Sequence, residues 1–308
     1  MRGAWWAVML TLAGCDRVFG LERPLCAGDE CLTDLATGET AAGEVVVDGT
    51  DVFWTLERAD GAIRGCALDD CAPRSLTTAE RSPHSLVVDG DQILWASETV
   101  VRSVPRTSTE ATSFDVVEVV LRAIEEVRVV GTQLYLTQTD RLLRCDYTSA
   151  NETCDGLTSL PAPIGDISGP LATDASSRLW GATSDTLYLV DLDPRSFDVS
   201  GARAIVANTT AVFVLDGAMT VHAWQATDPT GTAGTELDTG AIRAMAVDER
   251  DLYLVDTAGN LLQIPVTDLA TSTVIASALP TVRSLAIGED RVFVVADDRV
   301  ASIPKPAD

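Results

Sequence analysis

The chain has 308 residues, with 46 aspartates and glutamates against 22 lysines and arginines, and its formal net charge at pH 7 is −24. A surface this acidic repels phosphate backbones and excludes nucleic acid as a partner. Apolar residues make up 46%, enough for a large core, and the two histidines are too few for a metal site of several imidazoles, so we predict no metal and no cofactor.

Residues 1–14 have the form of a secretory leader. Arg2 supplies a positive charge, and residues 4–13 form an apolar run too short to span a membrane as a stable helix. The run ends in LAGC, with the cysteine at position 15, and resembles the lipobox of bacterial lipoproteins. The resemblance implies export and lipid attachment to Cys15 on a bacterial membrane, facing the periplasm or the cell surface, with residues 15–30 as a linker. The alternative is an ordinary signal peptide, with Cys15 as a structural thiol.

The other six of the seven cysteines fall into three close pairs. These pairs are Cys26 with Cys31, Cys66 with Cys71, and Cys145 with Cys154. An even number of cysteines in an exported chain implies disulfides, and the spacing favours bonds within each pair. A zinc site or a redox-active pair is less favoured, because no pair has the CxxC spacing.

One pattern recurs along the rest of the chain: a short apolar strand, a turn rich in Asp and Gly, and a second strand that often carries an aromatic residue. The copies are EVVVDGTDVFW (44–54), SLVVDGDQILW (85–95), EVRVVGTQLYL (126–136), PLATDASSRLW (170–180), AIVANTTAVFV (204–214), AMAVDERDLYL (244–254) and SLAIGEDRVFV (284–294). Repeats of about 40 residues built from short strands are typical of β-propeller blades.

Each copy continues with a third strand and usually with a polar, threonine-rich fourth strand. We therefore predict one all-β domain over residues 31–308, a seven-bladed β-propeller of four-stranded antiparallel blades. The last copy stops after its third strand, and residues 31–39 resemble a fourth strand. The N- and C-terminal strands are thus predicted to pair in one blade and close the ring. Six blades remain the alternative, since the spacing of the copies is irregular around Leu179.

The segment VVVDGTDVFWT (45–55) resembles propellers of the YWTD and Tol–Pal types, which are similar to NHL-like propellers. With the lipobox and the paired cysteines, the whole chain is similar to exported propeller lipoproteins of myxobacteria and their relatives. A likeness of fold carries no catalytic residues with it. We therefore expect a non-catalytic module that binds or scaffolds proteins of the cell envelope.

Acidic residues recur at the turn after the first strand of most copies, as in Asp48, Asp89, Asp174 and Asp248. Such a ring of carboxylates could bind Ca²⁺. Asp also favours tight turns, and no stretch has the DxDxDG spacing of known calcium loops. Turn chemistry is the favoured interpretation.

The residue before each first strand forms the most informative column. It contains Gly43, His84, Glu125, Gly169, Arg203, Arg243 and Arg283. Three arginines on consecutive blades would form a cationic spot where the channel opens, suited to a carboxylate, phosphate or sulfate group. The alternative, favoured because half-buried arginine usually pairs with an acid, is an ion pair between each arginine and the aspartate that ends its own second strand. Those aspartates are Asp216, Asp256 and Asp297.

Two further charged residues stand out. Arg128 interrupts a column of small residues and needs a partner, for which Glu125 and Glu126 are candidates. A seven-bladed propeller with His84 on this face is similar to the streptogramin-lyase group, whose chemistry uses a histidine and a glutamate. The resemblance implies an acid–base role for His84 with Glu125 as its neighbour, although a loop histidine beside proline is usually only solvated. A lyase-like enzyme and a sensor of a small anion are therefore the alternatives to a binding module.

Overall fold

The computed structural model describes residues 26–119, 122–149, 153–190, 195–226 and 234–306. The leader, Cys15 and the first part of the linker lie outside these residues. Within the described ranges, no helix combines the length and the apolar character needed to cross a membrane.

The strands form seven sheets that follow one another along the chain, one for each copy of the repeat. Their bounds are Ala42–Asp48, Asp51–Leu56, Gly61–Ala67 and Arg74–Glu80 in blade 1; His84–Asp89, Gln92–Ser97, Val100–Pro105 and Phe114–Glu118 in blade 2; Ile124–Val130, Gln133–Gln138, Arg141–Thr148 and Thr153–Ser159 in blade 3; Leu171–Thr173, Leu179–Ala182, Thr186–Leu189 and Arg195–Asp198 in blade 4; Ala204–Ala207, Ala211–Leu215, Val221–Gln225 and Thr235–Glu236 in blade 5; Ile242–Val247, Asp251–Asp256, Leu261–Pro265 and Thr273–Ser277 in blade 6; and Val282–Ile287, Arg291–Ala296, Arg299–Pro304 and Thr33–Thr37 in blade 7. The predicted seven-bladed β-propeller is confirmed, and the six-bladed alternative is wrong.

The ring closes in blade 7, where Thr33–Thr37 pairs antiparallel with Arg299–Pro304. This confirms that strands from both ends of the chain share one blade. The first strand of each blade is the innermost, and each contacts the first strands of both neighbouring blades, including the contact between blades 7 and 1. The seven innermost strands therefore surround a central channel.

The last residues of the predicted linker belong to the fold. Cys26–Ala27 pairs in parallel with Ala276 and Ser277 and adds a fifth strand to the outer edge of blade 6. A short 3-10 turn, Gly28–Cys31, then leads towards the closing strand, and a disulfide joins its last residue to Cys26. The chain thus enters the ring at the outer rim, away from the channel.

The other cysteines also bond within their close pairs, as the spacing predicts. The Cys66–Cys71 disulfide ties the third strand of blade 1 to the loop that follows it. The Cys145–Cys154 disulfide joins the third and fourth strands of blade 3. Both bonds reinforce the outer half of a blade, where the fourth strand pairs with a neighbour on one side alone.

The core lies between neighbouring blades. Phe53 of blade 1 packs with Leu86 and Trp95 of blade 2, and all three are almost completely buried. Trp54, on the opposite face of its strand, packs against Phe293 of blade 7. Burial of each large side chain stabilises the fold by about 2–3 kcal/mol. These second-strand tryptophans are therefore part of the packing between blades.

Two buried glutamates, which the sequence analysis did not single out, join adjacent blades at their outer strands. Glu80 ends blade 1 and forms an ion pair with Arg102 of blade 2, with an N–O distance of 2.8 Å. Glu39, which follows the closing strand, pairs in the same way with Arg64 and accepts the indole N–H of Trp54 at 3.1 Å. The signal that could have revealed them is Thr-x-Glu at the end of a fourth strand, since it occurs at both places.

Candidate functional site

Two of the aspartates at the turn after the first strand, Asp174 and Asp248, accept hydrogen bonds from their own turns. Asp248 accepts the N–H groups of Arg250 and Asp251, both at 2.8 Å, and its second oxygen lies 2.7 Å from Lys305 Nζ. Asp174 is engaged similarly with its own turn and with Arg178. Turn chemistry thus accounts for Asp174 and Asp248, whereas Asp48 forms an ion pair with Arg106. In the part of the chain that the structure describes, no cluster of three or more His, Cys, Asp or Glu side chains could hold a metal ion.

The innermost strands enclose a central channel of about 660 Å³. Small apolar residues line its middle, among them Val46, Val87, Ala172, Val206, Ala246 and Ala286. Charged side chains line the end at which these strands begin, and we call this end the entry mouth. Its charged lining residues are Glu44, Glu126, Arg128, Arg203, Arg243 and Arg283.

Arg203, Arg243 and Arg283 form a cationic arc on blades 5, 6 and 7. All three are exposed at the entry mouth, and no carboxylate oxygen of the described residues lies within 4.0 Å of their guanidinium nitrogens. Arg243 and Arg283 each sit where the pairing with the second strand skips a residue. Such β-bulges redirect a side chain out of the regular alternation, which leaves these guanidinium groups at the rim rather than in the core.

The ion pairs favoured by the sequence analysis do not form. Asp216 instead accepts the ring N–H of His222 at 3.0 Å, together with N–H groups of its own turn. Asp256 accepts the side-chain amide of Asn260 at 2.7 Å. The physical reason is local: these aspartates cap the turn between the second and third strands, and that role occupies their oxygens.

Glu44, Glu57 and Glu126 form an acidic arc on blades 1 and 3, which continues around the mouth from the cationic arc. The Glu44 carboxylate accepts the Leu86 N–H at 2.7 Å, and Glu126 forms an ion pair with Arg128 at 3.1 Å. Of the two candidate partners for Arg128, Glu126 is therefore the one used.

Gly43 makes room for the third member of the acidic arc. Glu57 lies on the loop after the second strand of blade 1, and its carboxylate packs directly over Gly43, where a β-carbon would overlap it. The absence of a side chain at position 43 thus brings an acid to the column that holds arginine on blades 5 to 7.

The pKa values of these carboxylates reflect their burial and the charges around them. Burial raises the pKa of Glu44 from 4.5 to about 7; Arg128 opposes the rise, and Glu126 and Glu57 add to it. Burial also raises the pKa of Glu57, against the attraction of His84 and Arg283. Glu57 therefore lies within the electrostatic reach of Arg283, where the two arcs adjoin.

His84 does not face the channel. Its ring nitrogens lie 2.9 Å from the carbonyl oxygen of Ser82 and 2.8 Å from that of Ile124, so the ring bridges blades 2 and 3. Glu125 is exposed, and among the described residues no hydrogen bond or ion pair joins it to His84. The structure thus places both residues at the rim and does not bring them together as an acid–base pair.

A further column of the mouth, not predicted from the sequence, is formed by polar side chains at the start of the innermost strands. Each accepts a main-chain N–H from the next blade: Ser284 from Val45 at 3.3 Å, Glu44 from Leu86 at 2.7 Å, and Ser85 from Val127 at 2.7 Å. The sequence signal for this column is a polar residue one position after the entry column, as at Glu44, Ser85 and Ser284. These bonds fix the spacing of blades 7, 1, 2 and 3 around the channel.

Fold and site together define a seven-bladed β-propeller whose channel opens between a cationic and an acidic arc. Its fold is similar to that of a catalytically inactive variant of virginiamycin B lyase from Staphylococcus aureus, solved with quinupristin (13% identity, 89% of this chain and 98% of the lyase covered, TM-score 0.68). It is also similar to the WD40 propeller domain of Doa1 (12%, 90% and 97%, 0.68) and to BamB from Moraxella catarrhalis (13%, 85% and 83%, 0.58). No protein-family model and no curated protein matches the chain. At these identities the likeness concerns the fold alone.

Proposed function

We propose that this protein is a lipid-anchored, non-catalytic binding propeller of the bacterial envelope, which binds an anionic group of a partner protein at its entry mouth. The observation that carries the proposal is the cationic arc of Arg203, Arg243 and Arg283, which is exposed and has no carboxylate oxygen of the described residues within 4.0 Å, in a chain of net charge −24. Guanidinium groups bind carboxylates and phosphates through paired hydrogen bonds. In so acidic a molecule, this arc is where an anion is attracted rather than repelled.

We favour binding over lyase-like chemistry. The fold is shared by a lyase and by a WD40 domain and does not separate the two. The side chains separate the two functions. Both ring nitrogens of His84 face main-chain carbonyls, and no hydrogen bond or ion pair of the described residues joins His84 to Glu125. A general acid or base must instead reach the proton that it transfers.

Site-specific crosslinking in native membranes tests the binding role. A photoreactive residue replaces Ala241, which is exposed beside Arg243 and leaves the arginines intact; a control replaces Glu289, exposed at the opposite end of blade 7. We expect a crosslinked envelope protein from position 241 but not from position 289, with at least a tenfold lower yield when all three arginines are alanine. An unchanged yield in that triple variant, or no product at position 241, contradicts the proposal.

We further propose that Cys15 carries the lipid. The supporting observations are the LAGC motif after an apolar run, and three disulfides of the kind that persist in an oxidising compartment. The eleven residues that precede Cys26, residues 15–25, reach at most about 40 Å. The anchor would therefore hold the outer rim of blade 6, where Cys26 lies, within that distance of the membrane.

Metabolic labelling with an alkyne fatty acid tests the anchor. We expect label on the wild-type protein and its complete loss in Cys15→Ser, which should also move to the soluble fraction after export. Label that persists in Cys15→Ser would overturn the assignment.

A further inference from the structure

We propose that the entry mouth recognises a zwitterionic, peptide-like group, with its carboxylate on the cationic arc and its ammonium group on the acidic arc. This inference rests on the proposed binding function and names the chemistry of what is bound. The mouth combines arginines that have no carboxylate of the described residues within 4.0 Å, an excess of carboxylates on the neighbouring arc, and a junction at which the two arcs adjoin.

The cationic arc offers a binding place for one carboxylate. Arg203, Arg243 and Arg283 occupy the same position on three consecutive blades, all three line the channel, and all three are exposed. Each guanidinium carries five N–H donors in a planar fork that matches a carboxylate. Since no carboxylate of the described residues is within ion-pairing distance, an incoming carboxylate displaces no internal partner.

The acidic arc carries more negative charge than its own cation neutralises. Glu44 and Glu126 share one neighbouring guanidinium, that of Arg128, and Glu57 adds a third carboxylate within electrostatic reach of Glu44. Their mutual repulsion contributes to the raised pKa of Glu44. An ammonium group placed among them would relieve this repulsion, whereas a second anion would add to it.

The two arcs meet at the junction of blades 7 and 1. There Glu57 lies over Gly43 and feels the charge of Arg283. A ligand with two anionic groups would meet the acidic arc, and a purely cationic ligand would meet the arginines. A group with one charge of each sign satisfies both, and the small apolar lining beneath the mouth suits a short aliphatic side chain.

Calorimetric titration of the lipidated full chain in detergent tests the inference with four probes: trialanine, N-acetyl-trialanine, trialanine amide and inorganic phosphate. Loss of one charge-assisted hydrogen-bonded contact should weaken binding about tenfold or more. We therefore expect trialanine to bind at least tenfold more tightly than either blocked peptide or phosphate.

Variants assign each end of the ligand to its arc. Arg243→Ala should abolish the preference for a free carboxylate over the amide. Gly43→Ala keeps the net charge but displaces the Glu57 carboxylate, and should reduce the preference for a free amine over the acetyl group. Glu57→Gln should act in the same direction without strain in the strand. Arg291→Ala, the same charge change at the other end of blade 7, should alter neither preference.

Equal binding of N-acetyl-trialanine or phosphate would make the mouth a simple anion site, and equal binding of the amide would make it a cation site. Either outcome overturns the inference, as does the absence of trialanine binding. Crosslinking that depends on the arginines would then still support the broader binding function. Loss of that dependence would remove the function itself, so the two failures are distinguishable.

Discussion

At the scale of single residues, Glu44 holds two roles that conflict. Its carboxylate accepts the Leu86 N–H and so joins blades 1 and 2. Burial and the neighbouring carboxylates make the same group costly to ionise, and its pKa rises from 4.5 to about 7. The folded chain therefore binds a proton there across a pH range in which the unfolded chain has released it.

We predict that Glu44→Gln stabilises the protein near pH 7.5 and has little effect near pH 4. Because the folded-state pKa is raised, the wild-type free energy of unfolding should fall as pH rises from about 4.5 to 7, by at most about 3 kcal/mol. Glutamine keeps the oxygen that accepts the Leu86 N–H but cannot ionise, so the variant should lose the part of this decline that Glu44 causes. Urea unfolding at several pH values measures the free energy of unfolding of both proteins. If the two free energies change in parallel with pH, the prediction is contradicted.

Burial also raises the pKa values of Glu57 and Asp89, which therefore act in the same direction as Glu44, so the comparison of the wild type with Glu44→Gln isolates the part that Glu44 contributes. The carboxyl groups with lowered pKa values act below this window. Burial acts to raise the pKa values of Asp216 and Asp248, but hydrogen bonds outweigh it and both pKa values are lowered below 3.8. A lowered carboxyl pKa contributes stability that is lost as pH falls towards the folded-state pKa. That loss belongs to strongly acidic solution, below the range in which Glu44 titrates.

At the scale of strands and blades, the sequence predicts what depends on periodicity. The copies align without gaps across the first two strands, so each blade could be found and the three arginines placed at one height. The sequence repeat is least regular in blade 4. Its first strand, Leu171–Thr173, is short, and the loop that follows is organised by Asp174. The pattern survives there because Leu179 and Trp180 still enter the core.

Periodicity failed where the backbone departs from regular alternation. The pairing in blade 2 shifts between His84 and Val87, and that in blade 3 shifts between Ile124 and Glu126. These bulges set the directions of His84 and Glu125, so a shared column does not bring their side chains together. Arg128 and Glu126, two residues apart past the bulge, return to one face and pair as alternation requires.

At the scale of the whole molecule, the ring depends on one short strand. Thr33–Thr37 completes blade 7, and Ala36 from this strand packs into the core shared by blades 7 and 1. Without it, Arg299–Pro304 would become an open edge at the point where the ring must close. The negative surface charge cannot replace this strand pairing, because net charge favours solubility and does not hold the two ends of the ring together.

We predict that Ala36→Asp destabilises the entire ring, whereas Thr37→Asp on the same strand does not. Ala36 is 6% exposed, so the aspartate would bury an unpaired charge, and we expect a loss of about 3 kcal/mol or more in the free energy of unfolding. Thr37 is exposed, and the change there should cost less than about 1 kcal/mol.

Urea unfolding followed by circular dichroism and by tryptophan fluorescence distinguishes closure of the ring from local damage. Circular dichroism reports on all the blades, and the buried Trp54, Trp95 and Trp180 report on blades 1, 2 and 4. If the closing strand holds the whole ring, both signals should shift together in Ala36→Asp, since a two-state transition gives the same midpoint with every probe. Equal losses in the two variants, or a fluorescence midpoint that stays in place, would show that the blades hold together without this closure.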